Sequence, residues 1–563
     1  MKTTLKRLLC LVLSVMFFTM SLPVLAADVA DVADENTTTE TVEVELTPEE
    51  LPAEKPGGMK GSGQKNDPLI IDSAEDLCWF AEQVNNGYNK ISAKLAADID
   101  LNEGFKFSTG YSATGDSVIT TVTFPSNKKT YTVTIKDGDV EGKTNAVNKF
   151  GKNVRIWTPI GQSAAGENDG FCGVFDAFQY NEKGEIVGEY SISGIYINGG
   201  KNEVGLFGHV GHAEIRGVKV ENSYIRGNEK VGAIAGFAHH EASFVGCWNA
   251  NSSVVFGVKN VGGIVGALDA EGGALQDIEE DHLDECVNRG HVHGKTNVGG
   301  ILGYGYWAVI RDCFNVNDPS VDEEGNLINP NAGLVHGEKC VGGIVGLSNG
   351  AAIYGCSKYA DVKATGNYVG GIAGHLEGTH AYLREVVNGA TATVTGKVYV
   401  GGIVGSLGRT ANGDTVVREL FMSYNHGTVN GNDYVGGLVG YNEQTGKVFN
   451  SYSSGPVLVT NTDATSKNAS NGNIVGFNEG EVRDCFYYPK KNAEVANAIG
   501  NGIGNASTGT KSHVIGFVPD FMKTEAAAYL LNLVYLGEAE GEGTDVHEVG
   551  YHHMATQDRK SVV

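Results

Sequence analysis

One pattern of apolar and glycine positions recurs along the chain. Val-Gly-Gly-Ile-Val-Gly is intact at Val261, Val341 and Val400 and only slightly altered at Val298, Val369 and Val435. Looser copies begin at Val204, Val231 and Asn471, which makes nine between Val204 and Gly476, with starts 27 to 43 residues apart. A period of that length marks a stacked architecture. Each repeat also holds a piece resembling residues 310–315, Ile-Arg-Asp-Cys-Phe-Asn, and a Val-x-Gly piece such as Val292-His293-Gly294, Val394-Thr395-Gly396 or Val429-Asn430-Gly431. All three pieces read as short strands, and the Asn and Gly residues between them supply turns. No apolar period of helical length occurs between Val204 and Gly476. Parallel strands normally need a crossover helix, but stacking whole coils supplies the connection without one. The predicted fold is therefore all-β: a parallel β-solenoid (β-helix) whose nine coils, each rising about 4.8 Å, make a rod of roughly 40–45 Å. The paired glycines are expected to let backbone approach backbone, or to bend the chain at a corner.

The flanks read differently. Residues 69–71 form a strand, and Ser73 caps a helix with Asp76 three positions on. Leu77, Phe80, Ala81 and Val84 line one face of that helix, and Gly87 ends it. Residues 94–101 read as a strand, residues 117–154 as a hairpin-like insertion turning at 126–129, and residues 171–178 and 190–197 as strands leading into the repeats. A solenoid needs covered ends. The helix after Ser73 suits one end, and a second short helix at 524–531 suits the other. Longer loops at 268–283, 317–331 and 406–415 are places where binding residues tend to collect.

The N-terminus carries a basic flank, an apolar run over residues 8–25 and a small-residue exit at Val24-Leu25-Ala26, which is the pattern of a secretory leader. The resulting division is 1–26 signal peptide, 27–56 acidic disordered linker, 57–203 N-terminal capping unit with the first coils and the hairpin insertion, 204–488 repeat solenoid, 489–535 C-terminal cap, and 536–563 acidic tail. No later stretch is long and apolar enough to span a membrane as a helix. Residues 558–563 back-translate to a sequencing-adapter stretch, so the native sequence is expected to end near Gln557 and the chain to be a fragment. The net charge of −25, from 67 acidic and 42 basic residues, argues against nucleic acid and anionic membranes as partners.

Candidate chemistry is sparse. Cys247, Cys286, Cys313, Cys356 and Cys485 share one repeat position that Val386, Leu420 or Ser451 fills in other copies. That variability describes a small buried site, with a disulfide ladder between coils as the alternative. Asp98 and Asp100 share a strand face and could serve a glycosidase, but a solvated face explains them as well. His209, His212, His239 and His240 can meet at one corner, with solvated loop histidines as the default. His547-Glu548 and His552 are spaced one residue too far for a zinc-protease helix. No catalytic, cofactor-binding or metal-binding residue is expected. Tyr368, Tyr399 and Tyr434 precede three successive glycine motifs at one register and form a ladder, the candidate partner-binding surface.

Taken together, the VGLFG at Val204, the VGGIVG at Val341 and the lead-in residues Ala96–Leu101 and Trp157–Gly161 resemble GLUG-repeat proteins, found on bacterial surface and adhesin-like proteins. The resemblance implies secretion, a β-helical stack, display at the cell surface and no catalytic residues. The expected function is non-catalytic adhesion or cell-surface interaction with a glycan or protein of a host or neighbouring cell. The alternatives are a polysaccharide lyase or hydrolase built on a β-helix, or the non-catalytic N-terminal part of a longer surface protease.

Overall fold

The computed structural model describes residues 55–516, apart from 105, 112–116, 124–129, 137–154, 163–169, 271–281, 319–331, 379–380, 409–417, 461–469, 489–502 and 505–507. The expected leader, linker, second helix and tail, and most of the long loops, lie outside those residues.

One coil illustrates the rest. It runs through the strands Val254–Phe256, Lys259–Gly262, Val265–Asp269, His282–Asp284 and Val287–Asn288, and the next coil begins at His291–His293. Each strand pairs in parallel, in register, with its counterpart one coil on: Val255 with Val292, Val261 with Val298, Val265 with Leu302, Leu283 with Ile310, and Asn288 with Asn315. Repetition builds parallel sheets of 23, 9, 9 and 7 strands. The β-solenoid is thus the observed fold.

The glycine motif itself is not a strand, as the sequence pattern suggested. Val261-Gly262 closes one strand, Gly263-Ile264 turn the corner, and Val265-Gly266 open the next. A coil consequently holds five short strands rather than three. The corner is too tight for a side chain. A Cβ on Gly262 would lie 1.9 Å from the Val265 carbonyl oxygen, and one on Gly263 would lie 2.0 Å from the Gly300 carbonyl oxygen of the next coil. Space, not a left-handed backbone, demands glycine at both positions.

The second glycine of each pair also makes room for something the sequence reading assigned to turns. Asn249, Asn288, Asn315, Lys358, Asn388, Asn425 and Ser453 stack in register across successive coils. Asn249, Asn288, Asn315, Lys358, Asn388 and Asn425 are completely buried. Their amides hand hydrogen bonds from coil to coil: Asn249 Nδ2 to Asn288 Oδ1 at 2.8 Å, Asn288 Nδ2 to Asn315 Oδ1 at 2.7 Å, and Asn388 Nδ2 to Asn425 Oδ1 at 2.6 Å. A Cβ on Gly263 would approach Asn288 Oδ1 to 2.5 Å. Glycine pair and asparagine ladder are therefore two sides of one packing solution, because buried amides persist only when they are paired. Lys358 interrupts the ladder and donates its Nζ to Asn388 Oδ1 at 3.1 Å.

The cysteine column is buried as expected. Cys247, Cys286, Cys313, Cys356 and Cys485 are fully enclosed free thiols. Its occupants need one correction: in the coil of Leu420 the slot belongs to Ser423. Register places Leu420 between Leu383 and Val448, and Tyr424 beside Val387 and Tyr452. Ser423 is tolerated because its Oγ donates to the Phe421 carbonyl at 2.8 Å.

The N-terminal cap forms as read. The helix spans Ala74–Asn85, Ser73 Oγ accepts from Asp76 N–H at 3.2 Å, and Leu77, Phe80, Ala81 and Val84 are buried. Phe80 meets Phe171 and Phe175 at 5.9 and 5.7 Å, and both pack on Phe207. Aromatic rings thus join the cap to the first coils. The expected strand at 94–101 is two shorter ones, Ala93–Leu95 and Ile99–Asp100. The insertion contributes an antiparallel sheet of Lys106–Tyr111, Ser117–Thr123 and Thr130–Lys136.

Candidate functional site: an aromatic face

The residue just before each glycine corner adopts a left-handed conformation. Glu203, Lys230, Asn260, Asn297, Cys340, Tyr368, Tyr399 and Tyr434 have φ between 52° and 63°. A second column lies seven residues later, across the corner: His375, Ser406 and Tyr441, followed by Phe477. The aromatic members of both columns are half-buried, whereas Asn260, Asn297, Cys340 and Ser406 are buried. The two columns interleave. Tyr368 stacks on Tyr399 at 5.0 Å and Tyr399 on Tyr434 at 5.2 Å, with ring planes 25° and 12° apart. His375 lies against Tyr368 at 5.1 Å, Tyr441 against Tyr399 at 5.3 Å, and Phe477 against Tyr441 at 5.4 Å.

The expected tyrosine ladder is therefore present, but its ring faces are turned on one another along the rod. Each ring thus shields a face of the next, and the rings are half-buried. Burial pushes the phenols of Tyr368, Tyr399 and Tyr434 up, with neighbouring tyrosines and carboxylates adding to the shift. They remain hydrogen-bond donors across the neutral range.

A row of carboxylates borders the rings. Tyr441 OH donates to Glu479, and Ser406 Oγ donates to Glu443 Oε1 at 2.6 Å. His375 Nε2 lies 3.5 Å from the same Glu443 oxygen. Burial disfavours the charge on His375, but Cys340, Glu443 and Glu377 outweigh it and raise the imidazole to about 9. Lys339 Nζ sits 5.7 Å from the Tyr368 ring centre. The sequence reading found the tyrosine column and missed the second one. Its signal was the constant seven-residue offset, hidden because the occupants change from His to Ser to Tyr.

A family model described as the GLUG motif matches residues 431–458. Those residues trace one full coil: the corner after Tyr434, the strand Val439–Asn442, the pair Gly446–Phe449 and Tyr452–Ser453, and the start of Val457–Val459. The chain carries the GLUG motif. Because the remaining corners hold the same register coil by coil, they repeat the GLUG coil in structure. No curated protein and no solved structure matches the chain.

Other candidate residues settle into the GLUG scaffold. Asp98 Oδ1 accepts from the N–H of Ser191 at 2.8 Å, and Asp100 Oδ1 from the N–H of Asn102 at 3.0 Å, so both carboxylates are tied to backbone. His209, His239, His240 and His212 do meet at one corner, with ring centres 4.6, 4.2 and 4.9 Å apart in turn. Among the described residues no group of three or more His, Cys, Asp or Glu side chains is arranged to hold a metal ion. His291 and His293 are buried with His336, and His293 and His336 bring their Nδ1 atoms to 3.0 Å. Burial pushes His291 down to about 3 and His293 to about 4, and holds His336 well below the usual histidine range.

Proposed function

We propose that this chain is a secreted, surface-displayed GLUG-repeat protein that acts in adhesion or cell-surface interaction without catalysing a reaction. The observation that carries the reading is the half-buried double column of Tyr368, Tyr399, Tyr434, Tyr441 and Phe477 with its border of Glu377, Glu443 and Glu479. A regular row of hydroxyls and carboxylates, repeated at the coil rise of about 4.8 Å, suits an extended partner with its own repeat. Fixed aromatic side chains lose little conformational freedom on contact. The leader-like N-terminus supports export. Asp98 and Asp100 each accept a backbone N–H bond, which favours their reading as a structural pair over a glycosidase one.

The test is a glycan and matrix-protein binding array with the full chain, with each polysaccharide well also assayed for released reducing ends. Binding without release, weakened by Tyr399→Ala, is the expected result. Release of sugar ends would replace this reading with a polysaccharide-active enzyme.

A further inference from the structure

Lys358 breaks the amide sequence of the inner ladder. Its counterparts are Asn315 one coil earlier and Asn388 one coil later, and strand register aligns all three. The lysine is completely buried, and its stem lies against the glycine corner: a Cβ on Gly343 would approach Lys358 Cγ to 2.5 Å. Burying an ammonium ion is costly unless a carboxylate is bonded to it. The Lys358 amine instead meets two neutral acceptors, Asn388 Oδ1 at 3.1 Å and the Thr393 carbonyl at 3.4 Å. Asp361 is its charged neighbour, and Asp361 Oδ1 accepts the Thr393 N–H at 2.8 Å. Burial outweighs the field of Asp361 and lowers the amine to about 7, so near neutral pH much of it is uncharged and keeps a lone pair. An amide satisfies the same position in the adjoining coils, so a buried amine held against a side-chain amide asks for a reason of its own.

We propose that Lys358 and Asn388 form an intramolecular isopeptide bond that ties two successive coils together. Lys358 Nζ is hydrogen-bonded to the Asn388 carbonyl oxygen, so a small rotation of the flexible lysine stem brings it onto the adjoining amide carbon. The Nζ lone pair attacks Asn388 Cγ, the Nζ–Cγ bond forms, and the Cγ–Nδ2 bond breaks. One proton moves from Nζ to Nδ2, which leaves as ammonia. One amide replaces another, with no change of oxidation state. Groups held in contact react as though present at concentrations on the order of 10⁵ M or more. Because Lys358 has no exposed surface, the electrophile within its reach is this neighbouring side chain. Escape of ammonia and exclusion of water from the site both favour the linked product. The link would resist separation of the two coils along the rod, and it does not depend on the adhesion reading.

The full folded chain is held at pH 8, sampled over several days, digested with trypsin and mapped by peptide mass. Trypsin cuts after a free Lys358 but not after an acylated one. The expected result is a branched peptide that joins the segments around Lys358 and Asn388 and is lighter than the two by one ammonia. Its share should rise with time at the expense of both linear peptides. Mass alone is not decisive, because Asn388 could also lose ammonia by closing on the backbone of Gly389, whose N–H already donates to the Lys358 carbonyl at 2.8 Å. Fragmentation of the branched peptide separates the two products. Lys358→Met, which keeps the stem and removes the amine, should yield linear peptides throughout. Asn388→Leu should do the same and serves if the lysine variant folds poorly. Cleavage after Lys358 with Asn388 intact in the folded wild-type chain at every time, or ammonia loss confined to a linear peptide, would overturn the proposal.

Discussion

Two ladders run through the same coils and obey different rules. The inner one, Asn249 to Ser453, is buried, hydrogen-bonded from coil to coil and nearly uniform in residue type. The outer one begins with Glu203, Lys230, Asn260 and Asn297 and ends with Cys340, Tyr368, Tyr399 and Tyr434, all in one left-handed backbone conformation. A buried amide left without a partner costs about 1–3 kcal/mol, so the inner column tolerates little change. The outer column carries a left-handed backbone, roughly 1–2 kcal/mol per residue and less for Asn, and within it only Asn260 and Asn297 repeat the inner rule, buried and joined amide to amide at 2.8 Å. Asparagine would be the easy choice at every outer position. The tyrosines and the cysteine stand where Asn would strain less, which points to their side chains as the reason they are there.

The sharpest break of the inner rule is Gly300→Val. Its Cβ would lie 2.0 Å from the Gly343 carbonyl oxygen and 2.7 Å from the Asn315 amide carbon. Both the corner and the ladder must yield, and we expect a loss of about 3 kcal/mol or more, seen as a lower thermal midpoint. Coils stack one-dimensionally, so hydrogen exchange should show the loss concentrated in the coils on either side of Gly300.

The next largest effect is acid lability. His291, His293 and His336 are buried neutral, with folded values below the 6.5 of the unfolded chain. Between those values the unfolded state binds the extra protons, so stability present above pH 6.5 is lost as pH falls toward 4 and below. Each histidine contributes about 1.4 kcal/mol per pH unit in that window. His291→Val, which matches Val254 one coil earlier, should flatten the fall measured by urea unfolding at pH 7 and pH 5.

Lys358 tests the ladder from within. In the unlinked chain, burial lowers its amine from 10.5 to about 7, so between those values the unfolded chain holds the extra proton and native stability rises with pH. Lys358→Asn should restore the amide chain between Asn315 and Asn388. A gain of about 1–2 kcal/mol over the unlinked chain is expected at pH 7, shrinking toward pH 10. An unchanged midpoint at both pH values would mean that the lysine stem fills the site as well as an amide does.

The smallest stability effect, and the most informative about function, is at Tyr399. Tyr399→Asn gives up ring stacking of about 0.5–1.5 kcal/mol while relieving part of the backbone strain, so stability should shift by less than about 1 kcal/mol. Partner binding on the array should nevertheless fall. Equal loss of binding from Asn260→Ala, which lies outside the ring stack, would dissolve the distinction between the two halves of the outer column.

Much of this was legible beforehand. The repeat period implied stacked coils, the Ser73–Asp76 spacing gave the capping helix, and the shared register of Tyr368, Tyr399 and Tyr434 gave their column. Leu420 was misassigned to the cysteine slot because coils differ in loop length, and strand pairing, not spacing, fixes equivalence. His375, Ser406 and Glu443 were missed because residues seven apart, and residues in coils two turns apart, touch only after the corner folds.

Sequence by itself determined the parallel stack, since glycine and apolar positions recurring at a fixed register can bury their backbone only by lying on their own copies. Tertiary structure alone decided that the glycine pair is a corner, that asparagines face inward beside it, and that the tyrosines turn their faces on one another. Those outcomes depend on where a neighbouring coil places its atoms within 2 to 3 Å, and no single repeat carries that information.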